Sequence, residues 1–202
     1  LVRLYDPCGN LVVFVFDAFV DAYPPLLLGF GPENGSMLSC GGVEVFWDIS
    51  EEYPKNITVW LLDMYGNATD ICRDSLILSG FTALDLGDGS YVLMIFAEDV
   101  LNRSSIWMIF FVVDTTPPST EILYPQNGSW LNGTVELGYY VSDTYGIGEV
   151  ALIINGSVNA SYIYSWINDS FVLVLPDGSW NVTLLATDRA GNRNATTITV
   201  SY

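Results

Sequence analysis

One stretch of this sequence is written twice. PPLLLGFGPENGSMLSCGGVEVFWDIS begins at Pro24, and PPSTEILYPQNGSWLNGTVELGYYVSD begins at Pro117. Both run from a proline pair through P-x-N-G-S-x-L to a segment opening Val-Glu. Further on, Asp88-Gly-Ser-Tyr answers to Asp177-Gly-Ser-Trp, and Ala97-x-Asp99 to Ala186-x-Asp188. Several landmarks recurring in one order mark a duplication, and a duplication forces the chain into two copies of one small fold. Each copy fills a little under half of the 202 residues.

The second copy reads as seven short segments rich in β-branched and aromatic residues, near 119–124, 134–142, 148–154, 161–166, 170–175, 180–187 and 195–202. PDGSW and DRAGN between them are turn chemistry. Seven alternating strands in so short a unit predict a β-sandwich. The expected architecture is all-β: an N-terminal tail over 1–23, a first sandwich over 24–114, a linker over 115–118 stiffened by Pro117-Pro118, and a second sandwich over 119–202.

The tail needs its own account. Within it, Leu11–Val20 (LVVFVFDAFV) is among the most apolar runs of the chain. Asp6-x-x-Gly9-Asn10 repeats Asp188 to Asn192, and Val20-Asp21-Ala22-Tyr23-Pro24-Pro25 repeats Val113-Asp114-Thr115-Thr116-Pro117-Pro118. Residues 4–23 therefore read as the last turn and strand of a sandwich, linker included. Val12, Phe14, Phe16, Ala18 and Val20 share one apolar face. Leu11, Val13 and Val15 begin the other face apolar before Asp17 and Asp21. A strand apolar on both faces suits a sheet interior. It can fold back on the first sandwich, anchor the chain in a membrane, or complete a sandwich in another molecule. The anchor fits poorly, because the run is short, broken by Asp17 and stopped by Pro24-Pro25. The expectation is an extended donor strand, with the acceptor groove in the C-terminal unit of the neighbour.

Charge and composition exclude whole classes. With 23 acidic and 6 basic side chains the formal charge is −17, which repels nucleic acid and anionic lipid. No histidine is present, so the common catalytic triads and His-metal sites are gone, and no enzymatic activity is expected. No stretch is long enough for a helical membrane span, so none is expected. Beginning at Leu1 without a basic region and a clean apolar run, the sequence is expected to be that of a processed chain.

Asparagine is used in one way. Asn34, Asn56, Asn67, Asn102, Asn127, Asn132, Asn155, Asn159, Asn168, Asn181 and Asn194 all head Asn-x-Ser/Thr sequons, eleven of the thirteen asparagines. Turn preference accounts for Asn34, Asn127 and Asn155, which open Asn-Gly-Ser, but not for the total. The pattern predicts a heavily N-glycosylated extracellular protein.

The motifs D-T-T-P-P-S-T…P-x-N-G-S and G-x-W-x-V-x-L-x-A-T-D-R-A-G-N resemble the tandem immunoglobulin-like repeats of prokaryotic surface proteins, over residues 24–202. A glycosylated two-domain β-rich body with an apolar tail further resembles the subunits of archaeal thread filaments. That resemblance implies a cell-surface filament of identical copies, joined head to tail by strand donation, with a role in adhesion or cell contact. The alternatives are a monomeric stalk or adhesin with the strand folded back, and an accessory domain of an enzyme.

The remaining residues carry smaller expectations. Cysteines pair in oxidising surroundings, which favours Cys40–Cys72 within one unit and leaves Cys8 on the tail free or bonded to another chain; Cys8–Cys40, within or between subunits, is the alternative pairing. Glu51-Glu52 reads as turn-region surface charge. Lys55 is the only lysine; it reads as solvated charge rather than an isopeptide donor. Asp99 and Asp188 read as local turn caps, with Ca²⁺ ligation as the lesser option; no cofactor beyond glycans is expected. Trp47, Trp60, Trp107, Trp130, Trp166 and Trp180 read as core or sandwich-end packing.

Overall fold

The computed structural model describes residues 2–5, 7–9, 11–14, 21–155, 157–163 and 168–202. Every regular element among them is a strand.

β1 (Val2–Tyr5) and β2 (Leu11–Phe14) pair antiparallel as a sheet of their own. Next comes a sandwich. One layer has the order β3 (Leu26–Gly31), β5 (Gly42–Ser50), β8 (Ser79–Asp85). The other has the order β4 (Ser36–Leu38), β10 (Ser104–Val113), β9 (Gly89–Asp99), β6 (Pro54–Asp63), β7 (Ala68–Ser75), with β4 parallel to β10. A second sandwich repeats the plan. Its first layer is β11 (Ser119–Tyr124), β12 (Val135–Ser142), β15 (Asn168–Leu173). Its second is β14 (Ser157–Ile163), β13 (Ile147–Ile154), β16 (Ser179–Asp188), β17 (Arg193–Ser201). Where the first sandwich has β4, the second has one parallel bridge, Trp130 to Ser201. This is the Greek-key order of an immunoglobulin-like sandwich, twice in tandem.

Strand alternation builds the cores. Leu93, Ile95 and Ala97 of β9 point inward, as Val182, Leu184 and Ala186 do from β16. Each set belongs to a separate cluster, one drawn from residues 43–113 and the other from 137–200. Fully burying a large aliphatic side chain is worth about 1.5–3 kcal/mol.

The tail departs from expectation. Over the described residues it is a hairpin, not a single extended strand. Tyr5 pairs with Leu11 across the loop, as Glu98 pairs with Ser104 and Thr187 with Arg193. All three loops therefore have five residues in one register. The fourth position has positive φ each time: Gly9 (81°), Asn102 (62°) and Gly191 (97°). Glycine takes that conformation freely and asparagine is the next best. Val12 and Phe14 of the expected donor face lie on β2. Phe16, Ala18 and Val20 lie outside the described residues, as does Trp166. Among the described residues β2 is hydrogen-bonded to β1 and to neither sandwich.

The Cys40–Cys72 bridge does not form; both residues are free thiols. Cys40 follows β4 and Cys72 lies in β7, the two edges of one five-stranded layer. Four strand spacings separate those edges, roughly 19 Å. A disulfide needs its Cα atoms within about 7 Å.

Candidate functional site

Each sandwich opens onto a junction with the segment before it, and both junctions are built from matching side chains. In the first, Asp21 comes from the tail, Glu51 from the end of β5 and Asp99 from the end of β9. In the second, Asp114 comes from directly after β10, Asp143 from the end of β12 and Asp188 from the end of β16. Within each trio one carboxylate oxygen per residue lies within 4.8 Å of the others. The local bonding matches as well. The amide of Tyr23 donates to Asp21 as that of Thr116 does to Asp114. The amide of Tyr53 donates to Glu51 as that of Tyr145 does to Asp143. Asp99 and Asp188 cap their loops: Asp99 Oδ1 accepts from the amides of Leu101 and Arg103, and Asp188 Oδ1 from those of Gly191 and Asn192. The expected turn capping is present, and it is part of a larger constellation. Glu51 is half-buried inside it rather than plain surface charge; Glu52 is exposed.

One position breaks the match. In the first junction Arg103 donates from Nε to Asp99 at 2.7 Å and reaches Asp21 with Nη2 at 2.5 Å. In the second, Asn192 stands there. Its Nδ2 donates to Asp188 Oδ2 at 2.9 Å and to the backbone carbonyl of Asp114 at 2.7 Å, short of the Asp114 carboxylate. The electrostatic outcomes are opposite. Burial pushes the Asp99 carboxyl up, but hydrogen bonds from the Arg103 backbone and side chain, the Leu101 amide and the Arg103 charge hold it below its ordinary value. Burial, then repulsion from Asp143, holds the Asp114 carboxyl above its ordinary value. Asp88 adds a clasp at the second junction, accepting from the Thr115 amide and the hydroxyls of Thr115 and Thr116. Those hydrogen bonds, that of the Thr116 hydroxyl foremost, hold its carboxyl low.

The outer faces of the two β-layers also differ. On the first sandwich Val92 faces Phe110, Met94 faces Met108 and Phe96 faces Ile106. Ile106, Met108 and Phe110 are 58%, 55% and 53% exposed, a contiguous apolar surface. The matching pairs on the second are Asn181 with Thr199, Thr183 with Thr197, and Leu185 with Ala195. The hydroxyls of Thr183 and Thr197 bond each other, and that of Thr199 donates to Asn181 Oδ1.

Among the sequon asparagines with described side chains, all are exposed except half-buried Asn56. Asn159 lies on β14 and Asn168 on β15. Several hold the fold through their amide oxygen. Asn34 Oδ1 accepts from the Phe110 amide at 2.9 Å, Asn127 Oδ1 from Thr199 at 2.8 Å and Asn155 Oδ1 from Asn181 at 2.9 Å. Asn67 and Asn194 instead donate from the amide nitrogen, to Asp63 and to the Pro118 carbonyl. Lys55 pairs with Glu98 and donates to Asn102. Trp47 is buried in the core, as expected, whereas Trp130 is 84% exposed. No helix among the described residues is long and apolar enough to cross a membrane.

No protein-family model matches the chain, and no curated protein matches it. Solved tandem sandwiches are similar to it. The fibronectin(III)-like modules of Clostridium thermocellum CbhA are 14% identical over 88% of this chain and 93% of theirs, with a TM-score of 0.48. A tetra-tandem repeat from the extending region of a large adhesion protein is 19% identical over 98% of this chain and 54% of that one, with a TM-score of 0.41. A two-domain fibronectin type-III segment of chicken tenascin is 12% identical over 89% and 99%, with a TM-score of 0.39.

Proposed function

We propose that this chain is a non-catalytic structural subunit of an extracellular, N-glycosylated surface filament of the archaeal thread type. Copies join head to tail, the N-terminal segment of one supplying strands to a sandwich of the next. The observation that carries the reading is the N-terminal hairpin. It reproduces the register and loop length of the last hairpin of a complete sandwich, yet among the described residues neither strand is hydrogen-bonded into either sandwich. Its exposed side chains include Tyr5, Leu11 and Val13. Main-chain pairing along a sheet edge supplies affinity in such contacts, and alternate side chains supply selectivity. A contact between unlike surfaces that does not close on itself makes a filament.

The preserved junction favours a second reading. Asp21 meets Arg103 in the place where Asp114 meets Asn192, so hairpin and first sandwich are joined as two serial units are joined. In that reading the hairpin completes a sandwich of the same polypeptide, and the molecule is a serial stalk.

Deleting residues 1–22 separates the two. Under the filament reading the intact chain forms long polymers in negative-stain microscopy, the deletion abolishes them, and a peptide of residues 9–22 caps growth. Polymers that survive the deletion sink the filament reading. An intact chain that stays monomeric at high concentration selects the stalk.

A further inference from the structure

We propose that the junction between the two sandwiches binds one hard divalent cation of the Ca²⁺ class, held by Asp114, Asp143 and Asp188. The inference stands on the fold and is independent of the filament reading.

Three acidic side chains from three separate segments converge to within 4.8 Å, and two are almost fully buried: Asp114 is 1% exposed and Asp188 is 3%. Gathering like charges away from water is costly unless a counter-charge is supplied. Among the described residues no basic side chain pairs with any of the three; the ion pairs present are Lys55–Glu98, Arg73–Asp70 and the two of Arg103. Asp114 Oδ2 is buried with no hydrogen-bond partner. A buried carboxylate oxygen without a donor is the kind of atom a metal ion satisfies.

The molecule carries its own control. The first junction has a corresponding trio, with Glu51 in the place of Asp143, and there a cation is present: the Arg103 guanidinium, ion-paired with Asp99 and Asp21. Asp21 Oδ2 also lacks a hydrogen bond, but its Oδ1 holds Arg103. Replacing arginine by the shorter, neutral Asn192 leaves the second trio its negative charge and removes the counter-ion. The donor set is oxygen alone, which selects Ca²⁺ or Mg²⁺ over softer metals. Ca²⁺ accepts irregular geometry and completes its shell with carbonyls or water, whereas Mg²⁺ demands a near-ideal octahedron. An ion here ties the end of β10, the end of β12 and the end of β16 together.

The test is Tb³⁺ luminescence of the full chain, sensitised through Tyr145, whose amide donates to Asp143, with Ca²⁺ and Mg²⁺ as competitors. The expected result is one site per chain. Ca²⁺ should compete at about 0.1–1 mM, the range of extracellular modules, and Mg²⁺ more weakly. Asn192→Arg, which copies the first junction into the second, should abolish the site while leaving the circular dichroism spectrum unchanged. Asp143→Asn, which keeps the oxygen that accepts from Tyr145, should weaken Ca²⁺ about tenfold or more. If Asn192→Arg does not fold, Asp143→Asn decides. No saturable site in the parent chain overturns the proposal. So does a folded Asn192→Arg, or in its place Asp143→Asn, that binds as the parent does.

Discussion

Arg103 and Asn192 occupy the fifth position of the same loop in two copies of the same sandwich, and almost everything around them is shared. A few atoms of side chain decide whether three carboxylates meet a built-in cation or none. The outer faces diverge with as little change to the backbone. Met94, Met108 and Phe110 in the first sandwich become Thr183, Thr197 and Thr199 in the second, in one register. Duplication kept the frame and let each copy specialise at its surface and its joint.

The sharpest way to break the comparison is to ask whether the copies stand alone. Ile95 and Leu184 are matching, fully buried core residues. Ile95→Ala and Leu184→Ala should each cost about 2–5 kcal/mol. In calorimetry each should lower one transition and leave the other in place. A single transition shifted by both variants means that the sandwiches fold as one body.

Arg103→Asn converts the first junction to the chemistry of the second. Tb³⁺ stoichiometry should rise from one site per chain to two, and without metal the segment at Asp21 should become more sensitive to protease. An unchanged stoichiometry removes the equivalence of the junctions. Smaller again is the double variant Met108→Thr, Phe110→Thr, which gives the first sandwich the face of the second. Stability should stay within about 0.5 kcal/mol, as for most surface changes. Sedimentation velocity should show less self-association; an unchanged profile means that this face is not an interface.

The pH response is the smallest effect and has two opposed parts. A carboxyl whose folded pKa is raised binds more protons when folded, so stability is lost as pH rises through that value. Asp114 behaves this way: in metal-free protein, lowering pH from neutral toward the ordinary carboxyl value should raise the thermal midpoint, and Ca²⁺ should suppress the rise. The depressed Asp88 works in reverse. Its contribution is present above the ordinary value and is lost only as pH falls below it, so Asp88→Asn should flatten the acid limb alone. Thermal melts across pH, with and without Ca²⁺, separate the two.

The duplication and the strands of the second sandwich were legible in the sequence because period-two alternation and turn residues are local signals. The segments read at 119–124 and 134–142 lie within two residues of β11 and β12. The loop Asp6–Asn10 was legible as a last turn, but VRLY before it is too short to announce a strand. Its role as β1 emerges only when Tyr5 is seen opposite Leu11. The carboxylate trios were half legible. Asp21, Asp99, Asp114 and Asp188 stand in the aligned repeats, whereas Glu51 and Asp143 differ in residue type and join the others only through the crossing of the layers. Aligning the fifth loop position, Arg103 against Asn192, was the signal available for finding the asymmetry. The cysteine pairing failed because sharing a unit says nothing about which edge of a layer each residue occupies.

The amide oxygens of Asn34 and Asn127 bear on how the proposed glycosylation is tested. Each accepts a backbone hydrogen bond from a neighbouring strand, β10 for Asn34 and β17 for Asn127, while its nitrogen is the atom a glycan would occupy. With the proposed glycan attached, one side chain would serve both scaffold and coat. Exchanging the asparagine removes both functions together and confounds a loss of sugar with a loosened strand. Exchanging the hydroxyl residue two places on leaves the scaffold bond alone. Ser36, whose buried Oγ has no hydrogen-bond partner, is the place to begin.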